Sequence, residues 1–111
     1  MVKALIIKTD GTTNVENIEP ELEVFKEIVG GWIEAINRSE WHAYIDEEGK
    51  LKKLAVNPQA TALMRALGWA TMDVICGPAV FLGTDHEQGN ELDVPEGVIT
   101  FARGLGLLSD E

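Results

Sequence analysis

Phe25-Lys26-Glu27-Ile28-Val29-Gly30-Gly31-Trp32-Ile33-Glu34 holds the end of a helix, a double-glycine stop and the start of a strand, and its reading decides the fold. Pro20 has a fixed φ and no N–H, which suits a first helical turn. Leu22, Phe25, Ile28 and Val29 follow at near-helical spacing and form one apolar stripe. Gly30 or Gly31 takes the left-handed conformation that closes a helix without a Cβ clash. Trp32 to Ile36 then switches at once to strand-forming residues. The connection is short, so the strand lies close to its own helix. A ligand could approach the bare backbone of Gly30 and Gly31 with Glu34 beside it, although a helix C-cap already accounts for the glycines.

Towards the N-terminus, residues 3–8 predict a strand. Ala4, Leu5, Ile6 and Ile7 are apolar without alternation, which implies burial on both faces. Asp10-Gly11 is a hairpin turn signal, and residues 12–18 return as an edge strand with Val15 and Ile18 its main apolar residues. The helix spans about 20–29.

Towards the C-terminus, strands are expected at 32–37 and 41–46. In the second, Trp41, Ala43 and Ile45 share one face and His42, Tyr44 and Asp46 the other. A turn over 46–50 leads to a short return packed by Leu51 and Leu54. Asn57 caps a helix with Pro58 at its first position. Ala60, Leu63, Met64 and Leu67 line one face, and Gly68 ends the helix. Thr61 points away from that face and is expected to be exposed, while Trp69 meets the core. Residues 73–82 form the most apolar strand, interrupted by Gly77-Pro78. Residues 83–111 give a polar loop, then a helix and tail. Asp93 to Glu96 read as a capping box with Pro95 in the first turn, and Val98, Phe101, Ala102 and Leu105 follow at helical spacing.

The expected fold is α+β. An antiparallel or mixed sheet of about five strands carries two or three helices, mainly on one face, in the order β-β-α-β-β-α-β-α. Its core is expected to contain Leu5, Ile7, Leu22, Phe25, Ile28, Ile33, Trp41, Ile45, Leu63, Leu67, Val74, Val80 and Phe101.

The chain has 111 residues, fitting one domain with a self-sufficient core. A net charge of −10 argues against direct contact with nucleic acid or an anionic membrane. It permits an acidic surface that occupies a basic site on another protein. The single cysteine, Cys76, excludes an internal disulfide and fits a reducing cytoplasm. No apolar run is long enough to cross a bilayer.

No motif assigns a reaction, and no cofactor or metal is expected. Asp85-His86-Glu87 offers three metal-binding side chains in a row, but neighbours point apart. Cys76 with His42 and Asp46 could make a nucleophile, base and orienting group if their strands adjoin. A small anionic or nucleotide-type ligand could sit at Gly30, Gly31 and Glu34 or at the helix start with Asn57, Thr61 and Arg65, provided Lys50, Lys52, Lys53 or Arg65 converge there. Trp32, Trp41 and Trp69 point instead to an interaction surface, if they are exposed.

Lys3 to Lys8 with Asp10-Gly11, Val29 to Glu34, Asp46 to Lys50, Asn57 to Ala62 and Asp73 to Gly77, as an ordered set, resemble a small family of unknown function. That family occurs in bacteriophages, prophages and their bacterial hosts, actinobacterial ones included. The resemblance covers about residues 3–82 and brings no catalytic residue, cofactor or reaction. It implies a phage-type accessory protein acting in the host cytoplasm. The leading expectation is a non-enzymatic binder of a host protein, used in host takeover or counter-defence. A homodimer through a sheet edge or the C-terminal leucines is the other expected partner.

Overall fold

The computed structural model describes residues 1–85 and 87–108. Two hairpins and a joining strand build its sheet. β1 (Val2–Ile7) pairs with β2 (Thr13–Ile18), and β3 (Ile33–Asn37) with β4 (Trp41–Asp46). β5 (Ala79–Thr84) lies between β1 and β4, giving the order β2-β1-β5-β4-β3 with every pairing antiparallel. β6 (Glu91–Leu92) pairs with the end of β5. The helices are α1 (Leu22–Val29), α2 (Pro58–Ala66) and α3 (Glu96–Gly104). The α+β class and three helices are as expected from the sequence. β6 is the added strand, in a stretch expected to be loop.

The helices lie on both faces of the sheet, not mainly on one. α1 covers Ala4, Ile6, Val80 and Leu82 with Phe25, whose ring lies 4.7 Å from that of Tyr44. α2 and α3 cover Leu5, Ile7, Trp41, Ala43 and Phe81 with Leu63, Met64, Val98 and Ile99. The unbroken apolar run of β1 follows from this arrangement, since alternate residues meet different helices. Each large side chain fully buried there contributes about 1.5–3 kcal/mol.

Several expected details change for identifiable reasons. Leu22 and Phe101 are exposed, and Ile99 takes the inward position in α3. Pro20 lies outside α1, whose N-cap is Glu21. Asp93 caps no helix: its carboxylate accepts from Lys3 N at 2.8 Å, and Pro95 holds the N-cap position of α3. Leu51 is exposed, so of the two leucines expected to pack the segment after the 46–50 turn only Leu54 is half-buried. Gly77, at φ 92°, and Pro78 precede β5 instead of interrupting it. Gly30, at φ 91°, ends α1 as its C-cap, and Trp69 is half-buried against the α2–α3 core.

Candidate functional site

The residues singled out in the sequence do not gather into one site. Gly30 is exposed, and a Cβ there would meet nothing. Gly31 packs against an ion pair: a Cβ on it would lie 2.6 Å from Lys52 Nζ and 3.1 Å from Asp46 Oδ2. Asn57 is fully buried and caps α2 by accepting from Ala60 N at 3.0 Å. Its amide donates to Ile7 O and Gly77 O, both at 3.0 Å, leaving nothing for a ligand. Thr61 is buried, not exposed; its hydroxyl donates to Asn57 O at 2.8 Å and accepts from Ile75 N at 3.0 Å. Arg65 is exposed and donates to Asp73 O at 2.9 Å.

Of these residues Glu34 lines a cleft of about 220 Å³ between β3, β4 and residues 47–51 and 73–76. Carboxylates dominate its polar wall: Glu34, Asp46, Glu47 and Asp73 face it with Lys50. Two of the lysines that an anion would need are engaged with carboxylates. Lys50 pairs with Asp73, and Lys52 with Asp46 at 2.8 Å.

Asp46 lies at the end of β4 with its side chain almost wholly buried. Burial pushes its carboxyl up, but the bonds from Lys52 and Glu48 N outweigh that and hold it below the usual carboxylate range. A lowered carboxyl pKa stabilises the fold above the unfolded value of about 3.9 and loses that effect as pH falls through the folded value. Asp46→Asn is therefore expected to be less stable than the natural chain at pH 7. The gap should close in acid, below about pH 4. Urea titrations of both proteins across pH measure this, and a gap that does not change with pH would contradict it.

Cys76 is half-buried and lines the cleft with Ile36, Ile45 and Trp69, which pack into the α2–α3 core. His42 lies on the α1 face, beside Leu82 in register. The sheet separates the two, so the Cys76–His42 arrangement does not form. Asp46 bonds Lys52, not His42. Asp85 accepts from Glu87 N and Gln88 N and shapes a turn, while His86 lies outside the described residues. Among the described residues no cluster of three His, Cys, Asp or Glu could hold a metal ion.

The structure builds a different polar site where β4, β5 and β6 end on the α1 face. Alternation along β4 puts His42 and Tyr44 on this face, and pairing in register brings Thr84 and Glu91 beside them. His42 Nδ1 lies 2.7 Å from Thr84 Oγ1. The Tyr44 hydroxyl donates to Glu91 Oε2 at 2.6 Å. His42 Nε2 and Glu91 Oε1 approach to 2.5 Å without hydrogen-bond alignment, and neither atom has another partner among the described residues. Burial, then the hydrogen bond and charge of Glu91, hold the Tyr44 phenol far above its ordinary range, so it remains a donor. A cleft of about 160 Å³ opens onto this cluster, with Asp85 and Asn90 also on its wall. The sequence signalled half of the cluster, through the alternation of His42 and Tyr44. Glu91 depends on the two-residue β6, for which no local pattern exists.

A search of curated proteins and a search of solved structures each found no match. Among the described residues no helix is long and apolar enough to cross a membrane. A family model matches residues 2–105, beyond the stretch that the motifs cover and through the end of α3. The match spans most of the chain, which belongs to the family described as a domain of unknown function (DUF3846).

Proposed function

We propose that the chain is a phage-type accessory protein that binds a host protein and catalyses no reaction, using the acidic flank of α1 as its contact surface. One observation carries this reading. α1 leaves the β1–β2 side of its sheet face open as a groove of about 350 Å³, with Ile6, Ile18, Val24 and Ile28 on its wall and Glu16, Glu27 and one cation, Lys8, beside them. Residues 16–27 bring five glutamates and a single lysine to this flank. That lysine, Lys26, is engaged with Glu23 at 3.6 Å and lies 3.8 Å over the ring of Trp32. Trp32, 58% exposed, adds an aromatic surface at the C-terminal end of α1. Apolar ground with an acidic rim suits a basic, partly apolar protein surface. The same charge would repel a nucleotide or nucleic acid.

The test is capture of host proteins on the immobilised chain, followed by binding of the recovered partner in purified form. Affinity is expected to fall at least tenfold in Glu16→Lys/Glu27→Lys and to weaken steeply with added salt. Thermal stability should change little, because both residues are exposed. Binding indifferent to salt and to both substitutions would overturn the reading. A homodimer is the second arrangement, because the outer edges of β2 and β3 pair with no other strand among the described residues. A monomer at high concentration in light scattering would exclude it.

A further inference from the structure

We propose that the outer face of α3 is a contact between two copies of this chain, with the two helices packed antiparallel across a two-fold axis. This goes beyond the binding of a host protein and does not rest on it, since α1 and its groove lie on the other face of the sheet. The outer face of α3 is largely apolar and uncovered. Phe101 is 48% exposed, and Leu105, just past the helix, 44%. Thr100 is exposed too, but its hydroxyl donates to Glu96 O at 2.9 Å and needs no outside partner. Gly97 and Gly104 lie on the same exposed side, and a Cβ on either would meet nothing. Glycine is unfavourable in a helix relative to alanine, and no contact among the described residues calls for it at either position.

Charge selects the occupant. The chain carries −10, which opposes self-association. Residues 94–108 add nothing to that charge, with one acid, Glu96, and one base, Arg103. Neither joins an ion pair among the described residues. They stand near opposite ends of α3, and both border the cleft beside β2. Gly97 and Phe101 border α2 on the other flank. A two-fold axis crossing α3 between Ile99 and Thr100 reverses the helix of the second copy. It sets Glu96 against Arg103 of the second copy, and Arg103 against its Glu96. On the other flank it sets each Phe101 ring beside Gly97 of the other copy, where a larger residue would block it. The helix thus supplies both halves of a matched contact, which is what an isologous interface requires.

Sedimentation equilibrium of the whole chain, from micromolar to millimolar concentration, tests this. A reversible monomer–dimer equilibrium is expected, since a contact centred on one short helix belongs to the small, transient class. Arg103→Glu and Glu96→Arg should each weaken dimerisation about tenfold or more, because each sets like charges against each other. An equimolar mixture of these two variants should restore it, because opposite charges then meet at both positions. Gly97→Leu favours the helix but fills the place of Phe101, and should lose the dimer without loss of thermal stability. A chain that stays monomeric would overturn the proposal. So would a dimer indifferent to all three substitutions, which would put the contact at the strand edges, or a mixture that stays monomeric while the natural chain dimerises. Capture of a host protein by a chain that remains monomeric would overturn this proposal alone. Dimerisation without capture of any host protein would support it and overturn the proposed function.

Discussion

Replacing Asn57 with alanine is expected to lower the unfolding free energy by about 3–5 kcal/mol, the largest effect of any single polar substitution in this chain. The side chain makes three hydrogen bonds in a site without solvent access. Removing it strands the carbonyls of Ile7 and Gly77 and the N–H of Ala60. Each buried group left without a partner costs about 1–3 kcal/mol, and partial relaxation keeps the sum below its upper limit. Small domains have only about 5–15 kcal/mol in total, so the variant should be partly unfolded or urea-sensitive at room temperature. Asn57→Asp separates the capping bond from the other two. Aspartate can still accept from Ala60 N, but it points carboxylate oxygens at the Ile7 and Gly77 carbonyls. Its folded pKa is then raised, so the penalty is full above that pKa. It fades as pH falls towards the unfolded value of about 3.9. A urea midpoint close to that of the natural chain at pH 7 would show that Asn57 does not hold α2 to the sheet.

Gly83→Ala is expected to cost about 2–3 kcal/mol and to open the polar site as well. A Cβ at residue 83 would lie 2.4 Å from the backbone oxygen of Asp93, which cannot rotate away as a side-chain tip could. The strain is therefore relieved by moving residues 91–94 off β5. That movement breaks the pairing of Gly83 with Leu92 and of Thr84 with Glu91, and draws Glu91 from Tyr44 and His42. Tyr44 is the sole tyrosine of the chain, so its ionisation can be followed in the ultraviolet spectrum. In the natural chain the phenol should stay protonated until the fold is lost in alkali. In the variant it should ionise earlier, closer to its ordinary value of 10.0. Unchanged stability together with unchanged Tyr44 ionisation would contradict the close approach.

Local pattern in the sequence carried most of the elements. The four apolar residues Ala4 to Ile7 foretold a strand covered on both sides, and Asn57-Pro58 foretold the start of α2. The helices nevertheless had to be divided between two faces to cover that strand, a consequence that single elements do not reveal. Thr61 is the sharpest instance of the same limit. It lies beside the apolar stripe of α2, and the helix alone would leave it in water. The segment before β5 crosses over it, and Ile75 N takes its hydroxyl as acceptor. The polar site was half legible for a related reason. His42 and Tyr44 stand two apart on one strand, whereas Glu91 arrives through a strand of two residues formed by tertiary pairing. The anion site expected near Gly30 or Asn57 rested in part on Lys50 and Lys52, whose carboxylate partners, Asp73 and Asp46, are set by the folded turns.

The place of β5 between the two hairpins bears on the order of assembly. β1–β2 and β3–β4 each close over a short turn, and isolated hairpins form in about 1–10 μs. The two hairpins share no ladder with each other. Before β5 leaves the ribosome, β1 and β4 therefore each present an unpaired inner edge to the cell. Unpaired strand edges promote intermolecular pairing. The last joining step, not the survival of the finished fold, sets when this chain is most exposed to aggregation, and slowed translation before residue 79 would prolong that interval.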